Sequence, residues 1–330
     1  MIARCARLAY RVGVTAYLLA AALAAAPAGL DAATLEQLRA IDLRLGIIAH
    51  RLITANAPLC REQAPATGVI VHAATQYDAD TQATARQVFG FATPVAVEAV
   101  VPGSAGARAG VAANDGVAAI GSQALGGTAT PPSSADRDAA LTALEAQQPP
   151  VRLAIMRGGE RREVAIAAPM ACRARFEVLL GPEMTAQSDG KVVQIGVRFF
   201  ERYRDEETAV IVAHELAHVI LRHRVRLEAA GVKGGLLGEI GRNARLGQAA
   251  ELEADRLGVA LLYNAGYDPA SAARFWRDHG GDIDGGMFRS RTHPATSRRI
   301  NAIEEAAAAI PAGARPYVPP VLAQREQPLR

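Results

Sequence analysis

Five residues constrain this chain more than any others: His214-Glu215-Leu216-Ala217-His218. Histidines four positions apart on a helix lie about 40° apart around its axis, so both imidazoles face one cation. Glu215 is rotated about 100° from His214, beside the cation but off the ligand face. That is the placement of a general base that takes a proton from water activated by zinc. The same five residues also arise by accident, as two histidines on an ordinary helix, so the flanks have to decide. Val210, Ile211, Val212, Ala213, Leu216, Ala217, Val219, Ile220 and Leu221 make the segment apolar nearly all round, which predicts a buried helix. Two histidines and a glutamate inside such a helix need partners, and a metal ion supplies them.

Tetrahedral zinc takes a third protein ligand and keeps one position open for water. His223 falls about 140° from the ligand face of a continuous helix, which argues against it. Leu221 and Arg224 stand where the metzincin pattern would need glycine and histidine. The next long segment of helical periodicity carries Glu251-Leu252-Glu253-Ala254-Asp255. Glu251 and Asp255 share one face, one turn apart. Either could ligate the metal while the other orients a histidine or contacts the reacting centre. Glu253 points about 160° away from Glu251 and is expected to face solvent or pair with a basic residue.

The chain's 330 residues suit two domains and a leader, and the apolar half of its composition excludes wholesale disorder. A net charge of +3, with no basic stripe interleaved with aromatics, gives no footprint for nucleic acid. Residues 1–33 read as a secretory signal or N-terminal anchor. Arg4, Arg7 and Arg11 precede an apolar run from Val12 to Leu30 that contains Ala26-Pro27-Ala28. The rest is then expected outside the cytoplasm, near a membrane if the leader is retained. There Cys60 and Cys172 are either a disulfide or two buried thiols.

A helix is expected over Thr34–Ala57, capped by Thr34 with Gln37. A connecting segment, 61–87, follows and holds a short strand at Val69–His72. Strands are expected at Val95–Val101, Val151–Met156 and Arg162–Ala167, with turns at Asn114-Asp115-Gly116 and Arg157-Gly158-Gly159-Glu160. A helix over Ala135–Ala146 lies among them. Beyond them come strands at Val178–Leu180 and Lys191–Ile195, then helices over about Asp205–His223, Ala249–Ala265, Ser271–Asp278 and Thr296–Ala309. Residues 313–330 form a tail.

Two stretches carry family resemblances. Val100-Val101-Pro102-Gly103-Ser104-Ala105-Gly106-Ala107-Arg108-Ala109-Gly110-Val111, followed by Ala113-Asn114-Asp115-Gly116-Val117-Ala118-Ala119-Ile120-Gly121, resembles a PDZ domain of the bacterial protease type. It departs from that pattern at Ala105-Gly106, at Asn114 and at Gly121. The second stretch begins with His214-Glu215-Leu216-Ala217-His218-Val219-Ile220-Leu221-Arg222-His223 and continues with Glu251-x-x-x-Asp255-Arg256-x-Gly258. Tyr267-Asp268-Pro269 and Thr292-His293-Pro294-Ala295-Thr296-Ser297-Arg298-Arg299-Ile300 complete it. Together these look like the M48 family of zinc endopeptidases.

The resemblance implies an α+β fold. A mainly helical zincin-type domain with a small sheet (34–60 and 171–312) would be interrupted by a PDZ-like β-rich insertion (88–170). It implies one Zn²⁺ per chain on His214, His218 and Glu251, with Glu215 as base. Asp255 would be an auxiliary acid and His293 a histidine that approaches and gates the metal. Cys60 and Cys172 would flank the insertion, which favours their pairing. Lys191–Ile195 is the strand expected to hold extended substrate at a sheet edge. The implied activity is that of a periplasmic or otherwise extracytoplasmic endopeptidase acting on misfolded or envelope proteins. The competing reading is a latent or chaperone-like protein that binds peptide through the PDZ-like segment.

Overall fold

The structure, a computed structural model, describes residues 29–232, 241–283 and 294–329. The first 28 residues of the leader reading and His293 lie outside them. No helix among the described residues is long and apolar enough to cross a membrane.

Helix α1 (Ala32–Ala55) opens on Asp31, whose carboxylate accepts from the Thr34 N–H at 2.7 Å. The cap therefore sits three residues before the expected Thr34, because an aspartate followed by two alanines starts the helix first. The chain continues through β1 (Gln63–Pro65), β2 (Val69–Ala73), α2 (Gln82–Phe89), β3 (Val95–Val100), the single turn α3 (Ala105–Arg108), β4 (Gly116–Ile120) and β5 (Gln123–Ala124). Next come α4 (Ala135–Glu145), β6 (Val151–Arg157), β7 (Glu160–Ile166) and β8 (Met170–Cys172). A helical body follows: β9 (Arg175–Leu179), β10 (Ala186–Ser188), β11 (Val192–Gly196), α5 (Val197–Arg202), α6 (Asp205–Ile220), α7 (His223–Ala229), α8 (Gly241–Asn264), α9 (Ser271–Ile283) and α10 (Thr296–Ala308).

Six strands form one antiparallel sheet, ordered β2-β3-β4-β6-β7 with β5 on β4. Its core joins Val97, Val117, Ile120, Leu153 and Ile166 to Ala140 and Leu144 of α4. Residues 61–87 are therefore more than a connector. Val69 to Ala73 pairs with Val100 to Val95, so β2 is an integral edge strand, and β1 pairs with β8. Beside that short ladder Cys60 and Cys172 form a disulfide with their Cα atoms 5.2 Å apart. The chain thus leaves α1 and returns to β9 through one neck, with the six-stranded sheet between.

In the helical body β11 lies between β10 and β9, parallel to β9 and antiparallel to β10. This corrects the expectation for Lys191–Ile195, which is a central strand. Strands β10 and β9 cover its two flanks, and Val193 and Ile195 are fully buried on one face. The edge strands are β10 and β9. Helices α6, α8, α9 and α10 pack around Leu216, Leu257, Phe275 and Ile303.

A cavity of about 480 Å³ separates the six-stranded sheet from α1 and β9. Asp42 and Glu98 line it. Burial raises Asp42 to about 7, against the pull of Arg137. Burial and the neighbouring Asp42 raise Glu98 to about 8. The folded chain therefore holds protons that unfolded carboxyls shed near their ordinary values of 3.8 and 4.5. The stabilisation these groups carry is complete below about pH 4 and lost as pH rises toward about 8. Glu98→Gln should raise the thermal midpoint at pH 8 by at least about 2–4 °C and change it little at pH 4.5. An unchanged midpoint at pH 8 would contradict the assignment.

Candidate metal centre

Helix α6 positions the first donors. Its acidic first turn, Asp205-Glu206-Glu207, suits the positive helix end, and the Glu207 carboxylate accepts from the Arg204 N–H at 3.0 Å. One helical turn separates His214 from His218, and their Nε2 atoms lie 3.1 Å apart. Helix α8 supplies the third donor from the face shared by Glu251, Asp255 and Gly258. A Cβ built on Gly258 would sit 3.5 Å from the His214 backbone nitrogen, which measures how closely α8 approaches α6. Glu251 Oε2 is 3.3 Å from His214 Nε2, and Oε1 is 3.4 Å from His218 Nε2. The donor atoms of His214, His218 and Glu251 lie within 4.8 Å of one another, close enough to hold one metal ion.

The electrostatics suit a cation there. Burial works to raise Glu251, but His218 and His214 outweigh it and hold the carboxyl well below the usual range. Burial pulls His214 down, yet its hydrogen bonds to Asp255 and Glu251 win and carry it up to about 10. Burial keeps His218 well below its ordinary value. His214, His218 and Glu251 would hold a divalent cation, which would supply the positive charge that the Glu251 carboxylate faces.

Spacing left Glu251 and Asp255 interchangeable, and the structure separates them. Glu251 faces the Nε2 atoms, whereas Asp255 lies behind the ring with Oδ1 3.0 Å from His214 Nδ1. The carboxylate accepts that Nδ1–H, which leaves Nε2 bare for a metal. Arg299 donates to Asp255 through Nε at 2.8 Å and Nη2 at 2.7 Å. Its guanidinium lies 3.6 Å over the Trp276 ring. Residue spacing assigns Arg299 no role, yet the sequence carries a signal for one. It shares a helix face with the apolar Ala302 and Ile303, where a buried arginine needs an acid.

Glu215 lines the cleft beside the donors, which has a volume of about 400 Å³. Residues 184–188, which contain the edge strand β10, also line it, as do Trp276 and Arg299. Asp255 does not line it. His223 is not one of the three converging donors, but the angle argued for it assumed an unbroken helix. Helix α6 ends at Ile220, Arg222 takes a left-handed conformation (φ 56°), and α7 starts at His223. The turn swings His223 back against His218. Glu253 pairs with a basic residue, Arg226, and is held inside rather than facing solvent.

Residues 235–307, which contain Glu251 and Asp255, match the family model described as Peptidase family M48. The chain is also similar to the mitochondrial metalloendopeptidase OMA1 of Schizosaccharomyces pombe, 26% identical over 122 residues. That alignment covers 31% of this chain and 36% of the relative, so the chain spans about a third of the curated protein it matches. Residues 235–307 are thus similar to the M48 peptidases, and these similarities together with the three converging donors support a metallopeptidase.

Proposed function

We propose that this chain is a zinc-dependent endopeptidase that acts outside the cytoplasm on unfolded or misfolded proteins. The observation that carries the reading is the convergence of His214, His218 and Glu251 beside Glu215, in a cleft lined by the edge strand β10. Two imidazoles and one carboxylate are a donor set of catalytic zinc sites with an open position. When bound, zinc polarises the scissile carbonyl and makes water acidic. Glu215 takes the proton from that water and returns it to the leaving amine. Backbone groups of β10 align an extended substrate antiparallel to the strand, which favours unfolded chains over folded ones. Asp255, held by Arg299, keeps His214 oriented and stays out of the cleft.

The leader reading of residues 1–33 and the disulfide both favour an oxidising, extracytoplasmic compartment such as the periplasm. The six-stranded sheet is proposed as PDZ-like, with a peptide adding as a strand to its edge strand β2, which packs beside α4. His293 is proposed, from the family resemblance, as the histidine that gates the metal. A latent peptide binder is the weaker alternative, because all three donors and the base are in place. Fragments of an unfolded polypeptide that appear with wild type, and not with Glu215→Gln, test the proposal. Equal fragmentation by both contradicts it.

A further inference from the structure

His223 is 1% exposed, and no step above uses it. Its Nδ1 lies 2.9 Å from His218 Nδ1, on the side of that ring away from the metal donors. Its Nε2 lies 3.1 Å from Glu253 Oε2. Arg226 in turn donates to Glu253 through Nη1 at 2.6 Å and Nη2 at 3.2 Å. A further bond, from Arg226 Nε to the Gln327 carbonyl at 2.8 Å, anchors the guanidinium.

For a neutral His223, hydrogen-bond valence assigns the protons along the row. A carboxylate only accepts, so His223 must donate its Nε2–H to Glu253. A neutral imidazole has one N–H, so His223 Nδ1 is left as a bare acceptor. The contact between the two Nδ1 atoms is a hydrogen bond only if His218 donates. His218 therefore carries its proton on Nδ1 and presents a bare Nε2, the atom that faces His214 and Glu251. The two ligand histidines thus have separate supports. Asp255 with Arg299 stands behind His214, and His223 with Glu253 and Arg226 stands behind His218.

We propose that His223, locked by Glu253 and Arg226, is a positioning residue that selects the metal-binding tautomer and ring orientation of His218. This rests on the zinc reading above. It also gives the left-handed Arg222 a purpose, since a continuous helix would carry His223 about 140° away.

The test is zinc affinity of the full chain by chelator competition, read beside the visible spectrum of the cobalt-substituted protein. His223→Phe fills the volume but accepts no hydrogen bond, and should weaken zinc about 10–100-fold and alter the cobalt bands. His223→Gln offers an amide oxygen to His218 Nδ1–H and should recover most of the affinity. Glu253→Gln keeps an acceptor for His223 without the charge and should fall between, which covers the case in which His223→Phe fails to fold. Wild-type affinity and cobalt bands in the variants that fold would overturn the proposal, as would equal losses in His223→Phe and His223→Gln. If wild type takes up no zinc, the metal reading itself falls and this proposal with it.

Discussion

Glu215→Gln should take up metal as wild type does and cleave unfolded polypeptide about 10²–10⁴-fold more slowly. The substitution keeps the shape of the side chain and removes only its capacity to accept a proton. None of the converging donor atoms belongs to Glu215, so the metal should stay. Glu215 is 8% exposed and lines the cleft, so no bulk buffer base readily replaces it. The check is kcat/KM on a quenched peptide together with metal content of the same sample. Full turnover in the glutamine variant would remove Glu215 from the chemistry. Loss of metal in parallel with activity would make it a structural residue instead.

Cutting the disulfide should be the largest stability effect. Cys60 and Cys172 are 112 residues apart in sequence, so the bridge closes the whole six-stranded sheet into one loop. The chain-entropy relation gives about 4–5 kcal/mol for a loop of that size, as an upper estimate. For a chain of this length that is a fall in thermal midpoint on the order of 10 °C. Cys60→Ser is the better variant, because Cys172 is 3% exposed within the core and a hydroxyl there adds its own cost. Its melt should fall to that of the reduced wild type. Coincident melts for oxidised, reduced and Cys60→Ser protein would mean that the bridge does not restrain the neck.

What the sequence makes legible here is chemistry confined to one helical face. Four-residue spacing brings His214 to His218 and keeps Glu251 beside Asp255, because α-helix geometry is the same wherever the helix sits. What it leaves open depends on partners distant in the chain. Spacing could not say which of Glu251 and Asp255 faces the metal, since that depends on how α8 crosses α6. Val69–Ala73 joins a sheet through a strand more than twenty residues on, and β11 becomes central only because β9 and β10 both flank it. His223 lies against His218 rather than about 140° away because α6 ends at Ile220 and Arg222 turns left-handed, with neither glycine nor proline to mark the break. Arg299, in contrast, sits on an apolar face and could have been flagged as a buried cation in need of an acid.

The central claim is that His214, His218 and Glu251 hold one zinc ion on which peptide cleavage depends. Elemental analysis of purified wild type and Glu251→Gln, with cleavage measured on the same preparations, tests it most directly. One zinc per wild-type chain is expected, with little zinc and no cleavage in the variant. Cleavage by metal-free wild type, or unchanged zinc content in Glu251→Gln, would contradict it.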